Sequence, residues 1–125
     1  MLQPKVYIKS LDEVLNVELI NFDKQTVGVY NCDYMDIEDS SIGFEWYSFD
    51  EVEFMKNTGL KDKNGEDIYT GDIVEITGVY FEIKYKALKG YVIENKEHIL
   101  SLEANLDCVN VVGNIYENKD LLGVR

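Results

Sequence analysis

Short runs in which apolar residues alternate with polar ones recur along the chain, separated by turn-forming residues. Val6 and Ile8 alternate in this way, as do residues 16–22 (NVELINF) and 80–85 (YFEIKY). A period of two is typical of a half-buried β-strand, because successive side chains point to opposite faces of a sheet. Several short strands with frequent turns predict a mainly β fold with one or two short helices. The predicted arrangement is a small SH3-like barrel in the C-terminal half, packed with an N-terminal β-hairpin or meander.

The N-terminal strands predict which side chains share a face. In residues 16–22, the alternation places Val17 and Leu19 on one face and Ile20 and Phe22 on the other. Residues 23–25 (DKQ) then form a predicted turn, and Val27 and Val29 mark a returning strand. Together these segments predict the hairpin or meander.

Two segments favour short helices. Ser48 and Glu51 have the spacing of a capping box, and residues 48–55 would then place Phe49, Val52 and Met55 on one face of a helix of about two turns. Residues 100–106 are ambiguous between strand and helix, since leucines and isoleucine at helical spacing lie within an otherwise strand-like run.

At 125 residues the chain is expected to form one domain, 1–125. Residues 1–47 would form the N-terminal hairpin region and an acidic loop, and residues 48–125 a hairpin and a barrel-like region. The start has no apolar leader and no long apolar run follows, so we expect neither a membrane segment nor export. We therefore expect a cytoplasmic protein.

Cys32 and Cys108 are then two buried free thiols, with a single disulfide between them as the alternative.

Acidic residues dominate the charge, which is −12 overall. Residues 33–53 contain eight acids and no base. This field would repel nucleic acid and anionic membranes, so direct binding to either is not expected. The segment could be a solvated face, or it could imitate a phosphate array and occupy the basic groove of a host DNA-binding enzyme.

Residues 57–74 (NTGLKDKNGEDIYTGDIV) could be a ligand loop or a series of tight turns. If Gly65 is the sixth residue of a calcium loop, Leu60 and Gly71 fall at the first and twelfth positions, where carboxylates are required. Glycines at this spacing cannot bring their N–H groups together on one phosphate. Turns are therefore predicted, with Asn64–Gly65 as a hairpin signal, because both residues tolerate positive φ, and Asp62 forming an Asx turn. In that hairpin Leu60 would pair with Ile68 and Tyr69. The predicted turn residues are Gly59, Asp62, Asn64, Gly65, Gly71, Asp72, Gly113 and Asn114.

Candidate catalytic residues are few. His98 is the only histidine and is predicted to lie in a strand without a local partner, which favours a structural or surface role. Lys84, Lys86 and Lys89 form a basic patch among aromatic residues, which suits either a solvated strand edge or single-stranded nucleic acid. No metal, cofactor or catalytic residue is predicted.

Two motifs resemble the YopX family, which consists of small proteins encoded by bacteriophages and prophages. They are FMKNTGLKDKNGEDIYTGDIV (54–74) and VVGNIYENKDLL (111–122). Lys56, Asn57 and Lys119 depart from the family pattern. The resemblance implies a β-rich fold and carries over no catalytic residue.

These observations favour a non-catalytic protein-binding or assembly module made by a phage or prophage. Its partner would be a host or phage protein, and Trp46, Tyr47 and Phe49 are candidate contact residues because exposed aromatic side chains are typical of interfaces. Self-association through these side chains is a further expectation. The acidic mimic is the alternative, and an enzyme with a pocket around His98 or a carboxylate pair is a third hypothesis.

Overall fold

A computed structural model describes residues 3–30 and 44–122 of the chain. Within these ranges the regular structure consists of β-strands and short 3-10 turns. The chain divides into two compact units, one from Gln3 to Phe54 and one that begins at Met55. The mainly β prediction is confirmed, whereas the SH3-like barrel and the single domain stay predictions.

The N-terminal unit is built on an antiparallel sheet with the strand order β4-β3-β2-β1-β5. Consecutive strands β1 to β4 are neighbours, so the predicted meander is present. The strands are β1 (Lys5–Ile8), β2 (Glu13–Asn21), β3 (Thr26–Tyr30), β4 (Phe44–Ser48) and β5 (Val52–Met55). Its buried core consists of Val6, Ile8, Val17, Val27, Val29 and Val52.

A β-bulge in β2 changes which side chains face this core. Val17 is buried, but Leu19 is 48% exposed, so the prediction that they share a face is wrong. The register with β3 shifts between these two residues, and Leu19 lies opposite Gly28. Because an extra residue reverses the alternation of faces, Ile20 packs against the core instead.

The predicted helix over residues 48–55 is also wrong. Only Phe49–Glu51 form a 3-10 turn, and the chain then continues as β5, which lies beside β1. The capping box itself is present, since the Ser48 N–H donates to Glu51 Oε1 at 3.0 Å. Pairing with β1 buries Val52 as a strand residue, and this tertiary contact outweighs the local helix signal. Residues 100–106 likewise contain no α-helix, but the end of a strand and a 3-10 turn, Glu103–Asn105.

The C-terminal unit contains a two-stranded hairpin and a five-stranded antiparallel sheet. The hairpin pairs β6 (Asn57–Lys61) with β7 (Asp67–Tyr69). The sheet has the order β11-β10-β9-β8-β12. Its strands are β8 (Asp72–Ile76), β9 (Val79–Lys86), β10 (Gly90–Glu94), β11 (Ile99–Ser101) and β12 (Asn110–Asn114). The buried core of this unit consists of Ile68, Val74, Phe81, Ile83, Ile93, Leu102 and Val109.

Candidate functional site

The Asp62 carboxylate lies at the centre of the hairpin turn between β6 and β7. Its Oδ1 accepts the N–H groups of Asn64 at 2.8 Å and Glu66 at 2.9 Å. Its Oδ2 accepts the N–H of Val111, 49 residues further along the chain, at 2.9 Å. The side chain therefore stabilises the turn and also fixes it to β12. We call Asp62 with these three N–H groups the Asp62 clamp.

Two further bonds fix the hairpin to the same strand region. The Lys63 N–H donates to the carbonyl of Val109 at 3.1 Å, and Asn64 Nδ2 donates to Asn110 Oδ1 at 2.7 Å. The turn and the segment that opens β12 are thus joined by side-chain and backbone bonds together.

The turn itself has three residues in its loop, Lys63, Asn64 and Gly65. The Gly65 N–H donates to the Asp62 carbonyl at 3.0 Å, and the Asp62 N–H donates to the Glu66 carbonyl at 2.9 Å. Gly65 has a φ of 83°, whereas Asn64 does not have a positive φ. The predicted hairpin at Asn64–Gly65 is present, and positive φ occurs only at the glycine, as in a type I turn followed by a bulge.

The electrostatics of Asp62 follow from burial and hydrogen bonding, since the residue is only 6% exposed. Burial by itself raises the pKa of this carboxyl, because it disfavours the charged form. The N–H groups of Val111, Glu66 and Asn64 act in the opposite direction, and together with Lys63 they hold the pKa below its usual range. Asp62 is therefore a charged acceptor at neutral pH.

Two more of the predicted turn residues join the hairpin to the large sheet. Asp72 is buried, and its Oδ2 accepts the Tyr69 N–H at 2.8 Å. Gly71 has a φ of 89°, its N–H donates to the Ile83 carbonyl, and its own carbonyl accepts the Ile115 N–H. An L side chain is strained at such a φ, which accounts for glycine at position 71.

The closing motif contains a second side-chain acceptor, Asn114. Its Oδ1 accepts the N–H groups of Tyr116 at 3.0 Å and Glu117 at 2.8 Å. Asn118 Oδ1 in turn accepts the Asn114 N–H at 3.1 Å. Gly113 is packed against this Asn118 side chain, so a Cβ at position 113 would lie 2.6 Å from its Cγ. These turn residues thus form a structural scaffold within the C-terminal unit.

Three phenylalanine rings of the N-terminal unit form a partly exposed cluster. Phe49 makes edge-to-face contacts with Phe22, at a centroid distance of 6.3 Å, and with Phe54, at 5.4 Å. Phe22 is 70% exposed and Phe54 41%. Phe49 also packs against the core of its unit, so this phenylalanine cluster extends from the core to solvent. An apolar surface of this kind is typical of a contact site.

Trp46 and Tyr47 lie on opposite faces of β4, so the three predicted contact residues do not form one patch. Tyr47 packs against the core, and its hydroxyl donates to the Glu45 carboxylate. Trp46 is 50% exposed and lies opposite Gly28 on the other face. Its ring atoms lie 3.1 Å from where a Cβ on Gly28 would be.

Gly28→Ala is expected to displace the Trp46 ring by a few tenths of an ångström, because the added methyl group would pack tightly against it. Trp46 is the single tryptophan of the chain, so its fluorescence reports the change directly. We expect a red-shifted emission and a loss of stability of about 1–2 kcal/mol by urea unfolding. Thr26→Ala in the same strand is the control, and an unchanged emission spectrum in Gly28→Ala would contradict the packing described here.

Comparison with known proteins places the scaffold in a family. The model of the family described as YopX protein matches residues 5–123. The chain belongs to the YopX family. No curated protein matches it.

A solved structure shows the same fold. It is described as protein EF1440 from Enterococcus faecalis, is 22% identical, and superposes with a TM-score of 0.65 over 96% of each chain. In the YopX chain described here, the Asp62 clamp joins the two motifs on which the sequence resemblance rests, since Asp62 lies in the first and Val111 in the second.

The basic patch expected around Lys84 and Lys86 is largely neutralised. Both ammonium groups contact Glu94, at 2.7 and 3.0 Å. Hydrogen bonds from these lysines hold the pKa of Glu94 below its usual range, and the bond to Glu94 raises the pKa of Lys84. This arrangement disfavours a nucleic-acid groove, but the expected strand edge is wrong, because β9 is paired on one side with β10 and on the other with β8.

The same strands line a small cavity of about 230 Å³. Its lining consists of Glu82, Lys84, Glu94, Asn95, Lys96 and Leu122. Burial raises the pKa of Glu82, partly offset by Lys84. This cavity does not include His98, which is exposed and lies in the turn before β11 and not in a strand as expected.

The cysteine predictions have different outcomes. Cys108 is a free thiol, but it is exposed, so the expectation that it is buried is wrong. Cys32 lies outside the described residues. Over residues 3–30 and 44–122, no group of three histidine, cysteine or acidic side chains is placed to hold a metal ion. In the same ranges no helix has the length and apolar character needed to cross a membrane.

Phe22 and Phe54 were not among the predicted contact residues. The sequence does contain a signal for Phe22, because an aromatic residue directly before the polar turn 23–25 has few neighbours that could cover it. Phe54 carried no such signal, because its exposure depends on where β5 lies in the sheet.

Proposed function

We propose that this YopX chain is a non-catalytic protein-binding module, made by a phage or prophage and acting in the host cytoplasm. It contacts its partner through the phenylalanine cluster of the N-terminal unit, and Trp46 supplies a second, separate contact on the other face of β4. The observation that carries the proposal is the continuous edge-to-face contact of Phe22, Phe49 and Phe54, which ends in a phenylalanine that is 70% exposed. Leaving such a ring in water costs free energy that a partner recovers by covering it.

The charge around this surface indicates the chemistry of the partner. Residues 44–54 contain four acids and no base. A partner with basic side chains around an apolar centre would complement this surface, and a second copy of the chain, which is itself strongly acidic, would be repelled. We therefore favour a different protein as the partner over self-association.

The alternative of an acidic nucleic-acid mimic has less support from the described acids. Asp50 and Glu51 contact Ser48, and Glu53 lies 3.6 Å from Lys9. Their positions are thus set by contacts within the chain. Four other acids of the segment lie outside the residues that the structure describes, namely Asp33, Asp36, Glu38 and Asp39.

The test is affinity capture of the tagged protein from host cells during prophage induction, with quantitative mass spectrometry. Phe22→Ser is compared with Leu88→Ser, since Leu88 is fully exposed in the other unit and serves as the matched control. We expect Leu88→Ser to retain the partner and Phe22→Ser to reduce its binding by about tenfold or more.

Two results would contradict the proposal. One is a partner that Phe22→Ser retains as well as the unchanged protein does. The other is a purified chain whose mass in light scattering is a multiple of 14.4 kDa, with Phe22→Ser returning it to the monomer mass, since the cluster would then serve self-association.

A further inference from the structure

Among residues 3–30 and 44–122, no strand pairs with the outer side of β4, so β4 presents an open edge of the N-terminal sheet. It lies at the end of the strand order and pairs with β3 on one side. The direction of its backbone groups follows from one bond, in which the Phe49 N–H donates to the Gln25 carbonyl at 2.8 Å. Antiparallel pairs alternate between bonded and non-bonded, so Val27 and Tyr47 exchange bonds, whereas Gly28 and Trp46 do not. The Trp46 N–H and C=O therefore point away from β3.

One end of this edge is closed by the capping box. Ser48, like Trp46, is in a non-bonded pair with β3, so its N–H also points away from β3. This N–H donates to Glu51 Oε1 at 3.0 Å. Within β4, the outward-directed backbone groups that this box leaves are thus those of Trp46 and Phe44. The closed end at Ser48 therefore limits the register in which another strand can pair with β4.

The strand has few of the features that protect sheet edges. It contains no lysine and no proline, and its register with β3 is unbroken over five residues. By contrast, the outer strand β11 of the other unit has three residues, and Asn105 Nδ2 donates to its Ser101 carbonyl. Its one charged side chain, Glu45, would attract a basic strand, and edges without lysine, bulge or proline are templates for another strand.

We propose that an extended, basic segment of a partner protein adds to the sheet beside β4, with Trp46 as its anchor. This inference rests on the proposed function and specifies the partner. The partner residue opposite Trp46 lies on the face of the exposed indole and is apolar. The partner residues on either side of it lie on the opposite face of the sheet, beside Glu45 and Tyr47. We expect these flanking partner residues to be basic.

The probe is an acetylated and amidated peptide of roughly nine residues in which lysine alternates with valine, long enough for one strand. Binding is measured on the full chain through Trp46 fluorescence. We expect a saturable change that weakens with added salt, and no change with a peptide in which glutamate replaces lysine.

Backbone methylation distinguishes strand addition from simple charge attraction. In the proposed register the valine N–H groups face β4 and the lysine N–H groups face away. We therefore expect methylation of the valine nitrogens to weaken binding by about tenfold or more, and methylation of the lysine nitrogens to have a much smaller effect.

A matched pair of variants tests the same bond from the protein side. Trp46→Val and Trp46→Pro both remove the indole, but only the proline removes the outward N–H, and it leaves the bonds to β3 intact. With a fluorescently labelled peptide, Trp46→Pro should bind about tenfold more weakly than Trp46→Val. Circular dichroism checks that both variants fold.

Equal binding of the two methylated peptides, or no binding of the unmethylated one, would overturn strand addition. In either case the capture experiment with Phe22→Ser still tests the proposed function independently. A Trp46 amide that is already protected from hydrogen exchange in a dimer of the free chain would also overturn it, because a second copy would then occupy the edge.

Discussion

Asp62→Asn should destabilise the protein by about 3 kcal/mol, because the buried carboxylate is the acceptor of three partly buried N–H bonds. An amide has one acceptor oxygen. If that oxygen faces Asn64 and Glu66, the amide nitrogen faces the Val111 N–H, and two donors meet. If the amide is turned round, the N–H groups of the turn lose their acceptor. The free energy of urea unfolding at neutral pH measures the effect.

The pH dependence of this variant has a definite sign. The folded-state pKa of Asp62 lies below its unfolded value, so its contribution is fully present above the ordinary aspartate pKa of about 3.9. The contribution is lost as the pH falls through the folded-state pKa. The stability difference between the unchanged protein and Asp62→Asn should therefore shrink in acid.

Asp67→Asn is the matched control for both measurements. Asp67 lies in the same hairpin and pairs with Lys61 at 2.6 Å, but this ion pair is exposed to solvent. Exposed pairs contribute little, so the control should unfold close to the unchanged protein. A similar loss in both variants would show that the clamp adds nothing beyond the local charge.

Gly113→Ala should destabilise the protein by about 2 kcal/mol although its backbone conformation accepts any residue. The added Cβ would overlap the Asn118 side chain, which accepts the Asn114 N–H. Asn118→Ala should cost a similar amount, because the same bond is lost. The measurement is urea unfolding of both single variants and of the double variant.

The double variant decides whether the overlap is the cause. Once Asn118 is alanine, the methyl group at position 113 has room, so the double variant should be about as stable as Asn118→Ala alone. Additive losses would mean that Gly113 is required for a reason other than Asn118. Gly65→Ala does not serve as a control here. Its added methyl group would meet no other atoms, but the φ of 83° would strain the alanine backbone.

The parts of the fold that were predicted from sequence depend on residues close together in the chain. The Asx turn at Asp62 and the capping box at Ser48 each involve residues within four positions, and both are present. The strand alternation likewise requires only neighbouring residues. Local chemistry of this kind can be read directly from the sequence.

The features that were not predicted depend on distant partners. The bulge near Leu19 follows from pairing with β3, and the strand at Val52 from its place beside β1. The bond from Val111 to Asp62 spans 49 residues, which no periodicity indicates. In the contact surface, Phe49 was predicted but its contacts with Phe22 and Phe54 depend on how three separate segments come together.

The long reach of the Asp62 clamp has a consequence for synthesis on the ribosome. The β6–β7 turn can close as soon as residues 57–69 have emerged, but Val111 is made 49 residues after Asp62. Until then one oxygen of the carboxylate lacks its native donor. Chains released before this residue would keep an unanchored hairpin. The C-terminal unit can therefore complete its folding only after Val111 has emerged, whereas strands β1 to β5 have emerged by then.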